Sequence, residues 1–278
     1  MAAVSDLSPA LEREGLLVLD DEEFALQEQE RSIFASQLAF GASKSASFNP
    51  LTGEARGHGG CKASELLMAR YAGWARRLLE TRLSRYRSAL EIGRTSLRWR
   101  DAADAPRSER KDDRRLHADA FASQPTGGKR ILRVFSNINP DGEPRRWRIG
   151  EPFDDYAGRW LARVHRPLPF EATLLRALGV TRQKRTPYDF IMLGLHDAAK
   201  LDLGYQMKAP RREIAFAPGA SWIVFTDSLV HAAVAGRWAL EQTFYLPVAA
   251  MRDEALSPLR ILERMVGGPL APQKTPQR

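Results

Sequence analysis

A single cysteine, Cys61, in 278 residues excludes an intramolecular disulfide and leaves no set of thiolates to hold a metal cluster. No run approaches the roughly 18 uninterrupted apolar residues of a membrane-spanning helix. The opening MAAVSDLSPALEREG has neither the basic nor the apolar stretch of a secretory signal. Together these absences set the expectation of a cytoplasmic protein. Internal repeats and low-complexity blocks are also missing. No G-x-S-x-G elbow is present to present an acyl-transfer serine. The loop PTGGKR, residues 125–130, lacks the full G-x-x-x-x-G-K-[ST] spacing and sits between two strand-like runs, so it is expected as a hairpin turn. Lys129 or Arg130 could still reach an anionic substrate from there.

What is present is the composition of a folded globular chain, 44% hydrophobic and 27% charged with a mean hydropathy of −0.38. Its net charge of +8 and pI near 9.9 point to an acidic partner: nucleic acid, anionic lipid or a phosphorylated small molecule. The excess is local, because residues 70–100 hold nine arginines against only Glu80 and Glu91. Between Ala63 and Leu90, Leu67, Tyr71, Trp74, Leu78 and Leu90 recur at helical spacing. Arg76, Arg77, Arg82, Arg85 and Arg87 fall on the other side, either as a solvated face or as a surface for anions or a membrane.

From Arg94 the texture changes to six short runs rich in β-branched and aromatic residues: TSLRWR, RRLHADAF, RILRVFSNIN, REIAFA, SWIVFTDSLVHA and RWALEQTFYL. Such runs predict an antiparallel sandwich or barrel. Residues 154–203 (DYAGRWLARV, FEATLLRALGV, YDFIMLGLHDAAKL) have helical periodicity and read as an insertion in that β core. The expected organisation is a helical layer over 1–93, a core over 94–250, and a tail over 251–278 with one short helix and a disordered, Pro-rich end.

The sharpest local signal is His117-Ala118-Asp119. On a strand, residues i and i+2 project from one face, so imidazole and carboxylate would converge. His231 lies 114 residues later in another apolar run. Two histidines and a carboxylate on one face form the facial triad that binds non-haem Fe(II) and leaves open coordination positions. Arg237 follows; if it lies on the strand RWALEQTFYL it shares a face with Glu241 and becomes either a carboxylate clamp or a salt-bridged strand residue.

The order His-x-Asp, LRVFSNIN, PDGEP, RRWRIGEPF, FAPGASWIVFTDSLVH and Gly-Arg resembles the 2-oxoglutarate/Fe(II)-dependent dioxygenases. More narrowly, HADAFASQPTGGKRILRVFSNINPDGEPRRWRIGEPF and RTPYDFIMLGLHDAAKLDLGYQ are similar to the bacterial hydroxylases of Kdo, 3-deoxy-D-manno-octulosonic acid, over roughly residues 15–250. The resemblance implies an α+β fold with a double-stranded β-helix (jelly-roll, cupin-like) core, and His117, Asp119 and His231 as iron ligands. It implies Fe(II), 2-oxoglutarate and dioxygen as cofactor and co-substrates. The far carboxylate of 2-oxoglutarate falls to Arg237, six residues beyond His231 and nearer than the family's usual spacing, with Arg130 and Arg133 as substitutes. Asn137 either bonds the co-substrate or shapes its turn. The implied reaction is hydroxylation at carbon 3 of Kdo in a lipid A precursor, an anionic glycolipid that would bring the protein peripherally to the inner membrane, with no nucleic acid expected.

Two rivals remain at this stage, a nucleic-acid dealkylase of the same fold and a metal-free glycan-binding module. His196-Asp197 sits in a helical run, where neighbours point about a hundred degrees apart, and is expected to be structural or substrate-facing. His58 and His165 are expected at the surface, and Cys61 carries no sign of a catalytic thiol.

Overall fold

The computed structural model describes residues 5–35, 45–103, 108–164 and 167–272. Among the described residues, ten strands form two antiparallel sheets. The larger has the order β1 (Leu16–Leu19), β8 (Ser221–Phe225), β5 (Arg130–Asn137), β10 (Ala239–Leu246), β4 (Glu91–Arg98), β2 (Ala46–Phe48) and β3 (Ala55–Arg56). The smaller has the order β7 (Arg212–Phe216), β6 (Arg145–Ile149) and β9 (His231–Ala235). The RRLHADAF run, expected as a strand, makes only an isolated antiparallel bridge, His117 with His231, at the edge of the smaller sheet. The run SWIVFTDSLVHA, expected as one strand, divides into β8 and β9 around the turn after Phe225.

Alternation along the strands assigns the two faces of the larger sheet. Leu132 and Val134 of β5, Ile223 and Phe225 of β8 and Phe244 of β10 point outward. There they meet Leu78 and Leu79 of α3 (Lys62–Arg82) and Leu11 of α1 (Ser8–Glu14). The 3.6-residue spacing of Leu67, Tyr71, Ala75, Leu78 and Leu79 puts them on one stripe of α3, and all are buried. The helix ends at Arg82, well before Leu90. The segment 1–93, expected as a helical layer, therefore supplies α1, α2 (Ser32–Ala35) and α3 but also strands β1 to β3.

The inner face of the larger sheet packs on the smaller one. Phe135 of β5 and Trp222 and Val224 of β8 meet Trp147 and Ile149 of β6 and Phe216 of β7. Phe216 stacks on Trp222 with ring centroids 3.8 Å apart. This aromatic cluster fills part of the space between the sheets.

The insertion between β6 and β7 contains α4 (Phe153–Trp160), α5 (Glu171–Ala177), α6 (Pro187–Leu201) and α7 (Leu203–Lys208). Helix α6 begins at a capping box: the Thr186 hydroxyl accepts from Asp189 N at 3.3 Å, and the Asp189 carboxylate accepts from Thr186 N at 2.8 Å. Pro187 follows at the first helical position. Gln206 of α7 accepts from Leu116 N at 2.7 Å and donates to Leu116 O at 3.0 Å, holding the residue before His117 as a strand partner would. After β10, the tail forms the expected short helix, α8 (Pro258–Val266). Leu270, in the stretch expected to be disordered, is buried among α6 and α8 residues. The last six residues, 273–278, lie outside the described residues, as does His165.

Candidate metal centre

His117, Asp119 and His231 meet in the space between the sheets, where one ligand atom from each lies within 4.8 Å of the others. All three side chains are buried. The reciprocal bridge that joins them, His117 N to His231 O at 3.0 Å and His231 N to His117 O at 2.9 Å, sets the two rings 4.8 Å apart. Asp119 is held by its own amide, which donates to Thr226 O at 2.8 Å. The spacing argument for His-x-Asp thus holds although the segment is not a strand, because its backbone is extended and Ala118 turns the opposite way into the core around Tyr156.

The donor chemistry fits a divalent metal. His117 Nδ1 donates to Arg115 O at 2.7 Å, and His231 Nδ1 donates to Leu229 O at 2.8 Å. A carbonyl can only accept, so both imidazoles carry their proton on Nδ1 and present a bare Nε2, as metal-ligating histidines do. Burial holds both rings neutral, pushing His117 down to about 3 with help from nearby Lys200, and lowering His231 as well. Burial alone would raise the Asp119 carboxyl. Arg133 and the His117 contact override it and keep the group ionised, well below the usual carboxylate range. Two neutral imidazoles and one carboxylate are the 2-His-1-carboxylate set of non-haem Fe(II).

Around the triad is a cavity of about 300 Å³ lined by Arg98, Arg110, Arg133, Arg145 and Lys200 beside the aromatic walls Phe121, Phe135 and Trp147. Trp147 stacks on His231 with ring centroids 5.0 Å apart, fixing its plane. Arg133 Nη2 lies 3.0 Å from Asp119 Oδ2 and its Nη1 lies 3.0 Å from Glu241 Oε1. Arg98 bonds the other oxygen of Glu241 at 2.7 Å. Arg133 and Arg98 are therefore committed to protein carboxylates.

Arg145 is not. Its Nη1 donates to Gly236 O at 3.0 Å, while Nε is buried with no partner. Burial and the like charge of Arg98 bring its pKa down to about 10. Lys200, on α6, is buried with its Nζ 3.3 Å from Arg110 O and 3.8 Å from Asp113 Oδ1.

The sequence-expected co-substrate residues divide. Arg133 lines the cavity; Arg130, Asn137 and Arg237 do not. Arg130 is three residues from Arg133, so strand parity sends it to the outer face. There it pairs with Asp227 at 2.7 Å and lies 3.8 Å above the Phe225 ring. The Asn137 amide donates to Phe216 O at 3.0 Å and to Glu143 O at 3.2 Å, and its Oδ1 accepts from Asn139 N at 3.0 Å, so it shapes the turn. Arg237 precedes β10, and Trp238 between them has φ 57°, which breaks the alternation that would have aimed Arg237 inward. Gly236 has φ 101°, and a Cβ there would come within 2.7 Å of Arg145 Cα. The PTGGKR amides are already occupied: Thr126 N and Gly127 N donate to Asp189 Oδ1 at 2.8 and 3.1 Å, and Lys129 pairs with Glu91. His196, expected to be structural or substrate-facing, lines the cavity.

Arg98, Arg145 and Lys200 went unrecognised in the sequence. Strand parity could have marked Arg98 and Arg145, each spaced two residues from an inward position. Nothing in the chain near Lys200 signals its destination.

The sequence profile of the 3-deoxy-D-manno-oct-2-ulosonic acid (Kdo) hydroxylases matches residues 2–269. Among solved structures, the cobalt(II) complex of the Kdo hydroxylase KdoO, a non-haem Fe(II)/2-oxoglutarate-dependent dioxygenase, is 38% identical with a TM-score of 0.91, covering 100% of this chain and 97% of that one. The same enzyme with 2-oxoglutarate and Fe(III) is 37% identical with a TM-score of 0.88, covering 99% and 96%. Its complex with succinate and Fe(III) is 38% identical with a TM-score of 0.89, covering 100% and 97%. No curated protein matches. With a triad built for Fe(II) and a match along nearly its whole length, this chain belongs to the Kdo hydroxylase family of non-haem Fe(II)/2-oxoglutarate-dependent dioxygenases.

Proposed function

We propose that this protein hydroxylates carbon 3 of a Kdo sugar in a lipid A precursor, acting at the cytoplasmic side of the inner membrane. The observation that carries the reading is a buried two-histidine, one-carboxylate triad inside a cation-lined cavity of a Kdo hydroxylase chain. His117, Asp119 and His231 would hold the iron. With 2-oxoglutarate, iron held there would supply the dioxygen activation that C–H hydroxylation needs.

Residues 94–250 form the catalytic core. Its eight extended segments are β4, the His117 bridge and β5 to β10. Their two antiparallel layers, β8-β5-β10-β4 and β7-β6-β9-His117, support the reading of this core as a double-stranded β-helix.

Charge supports an anionic pair of ligands. Arg98, Arg110, Arg133, Arg145 and Lys200 face Asp113, Asp119, Glu241 and Asp197, the last paired with Arg110 at 3.0 Å. This leaves one positive charge, and a divalent metal raises it to three. Two carboxylates of 2-oxoglutarate and one of the sugar cancel that excess. Arg145, rooted on a strand and with an unpartnered Nε, takes the far carboxylate of 2-oxoglutarate in place of Arg237. Lys200, on the inserted α6, takes the sugar carboxylate. Phe121, Phe135 and Trp147 keep bulk water from the reacting carbon.

Succinate release is measured with a Kdo-lipid, a soluble Kdo saccharide and methylated DNA, with mass spectrometry of the glycan. Stimulation by Kdo substrates with gain of one oxygen atom is expected. Stimulation by methylated DNA alone, or none by any Kdo glycan, overturns the reading. Arg145→Ala is expected to raise KM for 2-oxoglutarate, and Lys200→Met to raise KM for the sugar alone.

A further inference from the structure

Helix α5 contributes no buried residue to the core. Phe170, Leu174 and Leu178, at four-residue steps, form one stripe turned away from the protein, with exposures of 84%, 58% and 67%. Leu168 and Val180 extend it at either end, also exposed. Phe170 caps the helix with φ 66°, a left-handed backbone that is strained for a bulky aromatic and holds the ring out in solvent. An apolar stripe of this size on a monomer marks a contact surface.

The stripe has a basic border. Over residues 163–185 there are five arginines and Lys184 against the single carboxylate Glu171. Arg176, Arg182 and Lys184 are exposed beside the apolar side chains. The segment is also fastened to the active site. Arg182 N donates to Ser123 O at 3.0 Å and Arg185 Nη2 donates to Ala122 O at 2.6 Å, next to the cavity residue Phe121 and close to Asp119.

We infer that the α5 segment, Leu168 to Arg185, is the docking surface of this protein for an anionic lipid bilayer. Apolar side chains enter the acyl boundary and the flanking cations meet the headgroups. A second copy of the chain fits less well, because a symmetric contact would set Arg176, Arg182 and Lys184 against their own counterparts. The arginine-rich α3 is a poorer membrane face than its composition suggested. On the helix, Arg70, Arg76 and Arg82 are paired with Glu30, Glu80 and Glu22, and just beyond it Arg85 and Arg87 donate to backbone carbonyls.

The inference rests on the lipid-linked substrate reading, and its test separates the two. The full chain is sedimented with phosphatidylcholine vesicles containing or lacking phosphatidylglycerol. Binding is expected only to the anionic vesicles. Phe170→Ser/Leu174→Ser/Leu178→Ser is expected to weaken it at least about tenfold, and Arg182→Gln/Lys184→Gln to weaken it and flatten its salt dependence. Leu66→Ser, an exposed leucine on α3, serves as the control and is expected to bind like wild type.

Fe(II) and 2-oxoglutarate binding reports the fold of each variant. Turnover of a soluble Kdo saccharide reports the proposed activity without a membrane. Failure of wild type to bind anionic vesicles overturns the inference, as does unchanged binding by the triple variant. A concentration-dependent dimer lost in that variant would assign the stripe to self-association instead.

Discussion

Arg130 and Arg133 stand three residues apart on one strand, both buried and both beside carboxylates, yet they belong to different parts of the molecule. Arg130 is sealed into the outer layer by Asp227 and the Phe225 ring. Arg133 spans Asp119 and Glu241 at the wall of the cavity. Their chemistry is the same; only strand parity and the opening between the sheets separate them. A buried ion pair is therefore not a site. A site needs buried charge facing space that a ligand can enter.

Substitution of a triad residue gives the largest effect. His117→Ala, Asp119→Ala or His231→Ala each leaves two ligands, and loss of stoichiometric Fe(II) binding with no measurable hydroxylation is expected by anaerobic titration and succinate assay. Retained Fe(II) binding in all three would remove the distinction between the inner face and the outer.

Next comes Arg130→Ala, which strands Asp227 in the outer layer. A loss of about 3–5 kcal/mol is expected in denaturant unfolding, with Fe(II) and 2-oxoglutarate affinity of the folded fraction unchanged. A selective loss of 2-oxoglutarate binding would return Arg130 to the site.

Arg133→Met is the matching change on the inner face. It releases Asp119 Oδ2 and lowers Fe(II) affinity by roughly 10–100-fold, as removal of a group that orients a metal ligand does. If it changed stability alone, Arg133 would be structural like Arg130.

The smallest effect is expected for Arg237→Ala. Its Nε reaches Trp99 O only at 3.4 Å, and its guanidinium is outside the cavity. Stability should change by less than about 0.5 kcal/mol, and KM for 2-oxoglutarate should stay at the wild-type value while Arg145→Ala raises it.

The ligand set was legible in the chain because it depends on local spacing and family pattern. His117 and Asp119 need only an extended backbone to share a face, and His231 sits at the head of a recognisable apolar run. Most strands were legible through alternation, and the helices of the insertion through their 3.6-residue period. The cations were not, because their direction is settled far from their own neighbours in sequence. Arg237 is turned out by the left-handed backbone at Trp238, and Arg145 is set in place by Gly236, 91 residues away. Lys200 reaches the triad only because α6 folds back over the smaller sheet. Local sequence determined which residues could bind a metal. Tertiary packing decided which charges face it, since a guanidinium that meets a buried carboxylate is neutralised there, whereas Arg145 meets a carbonyl and keeps its charge for a ligand.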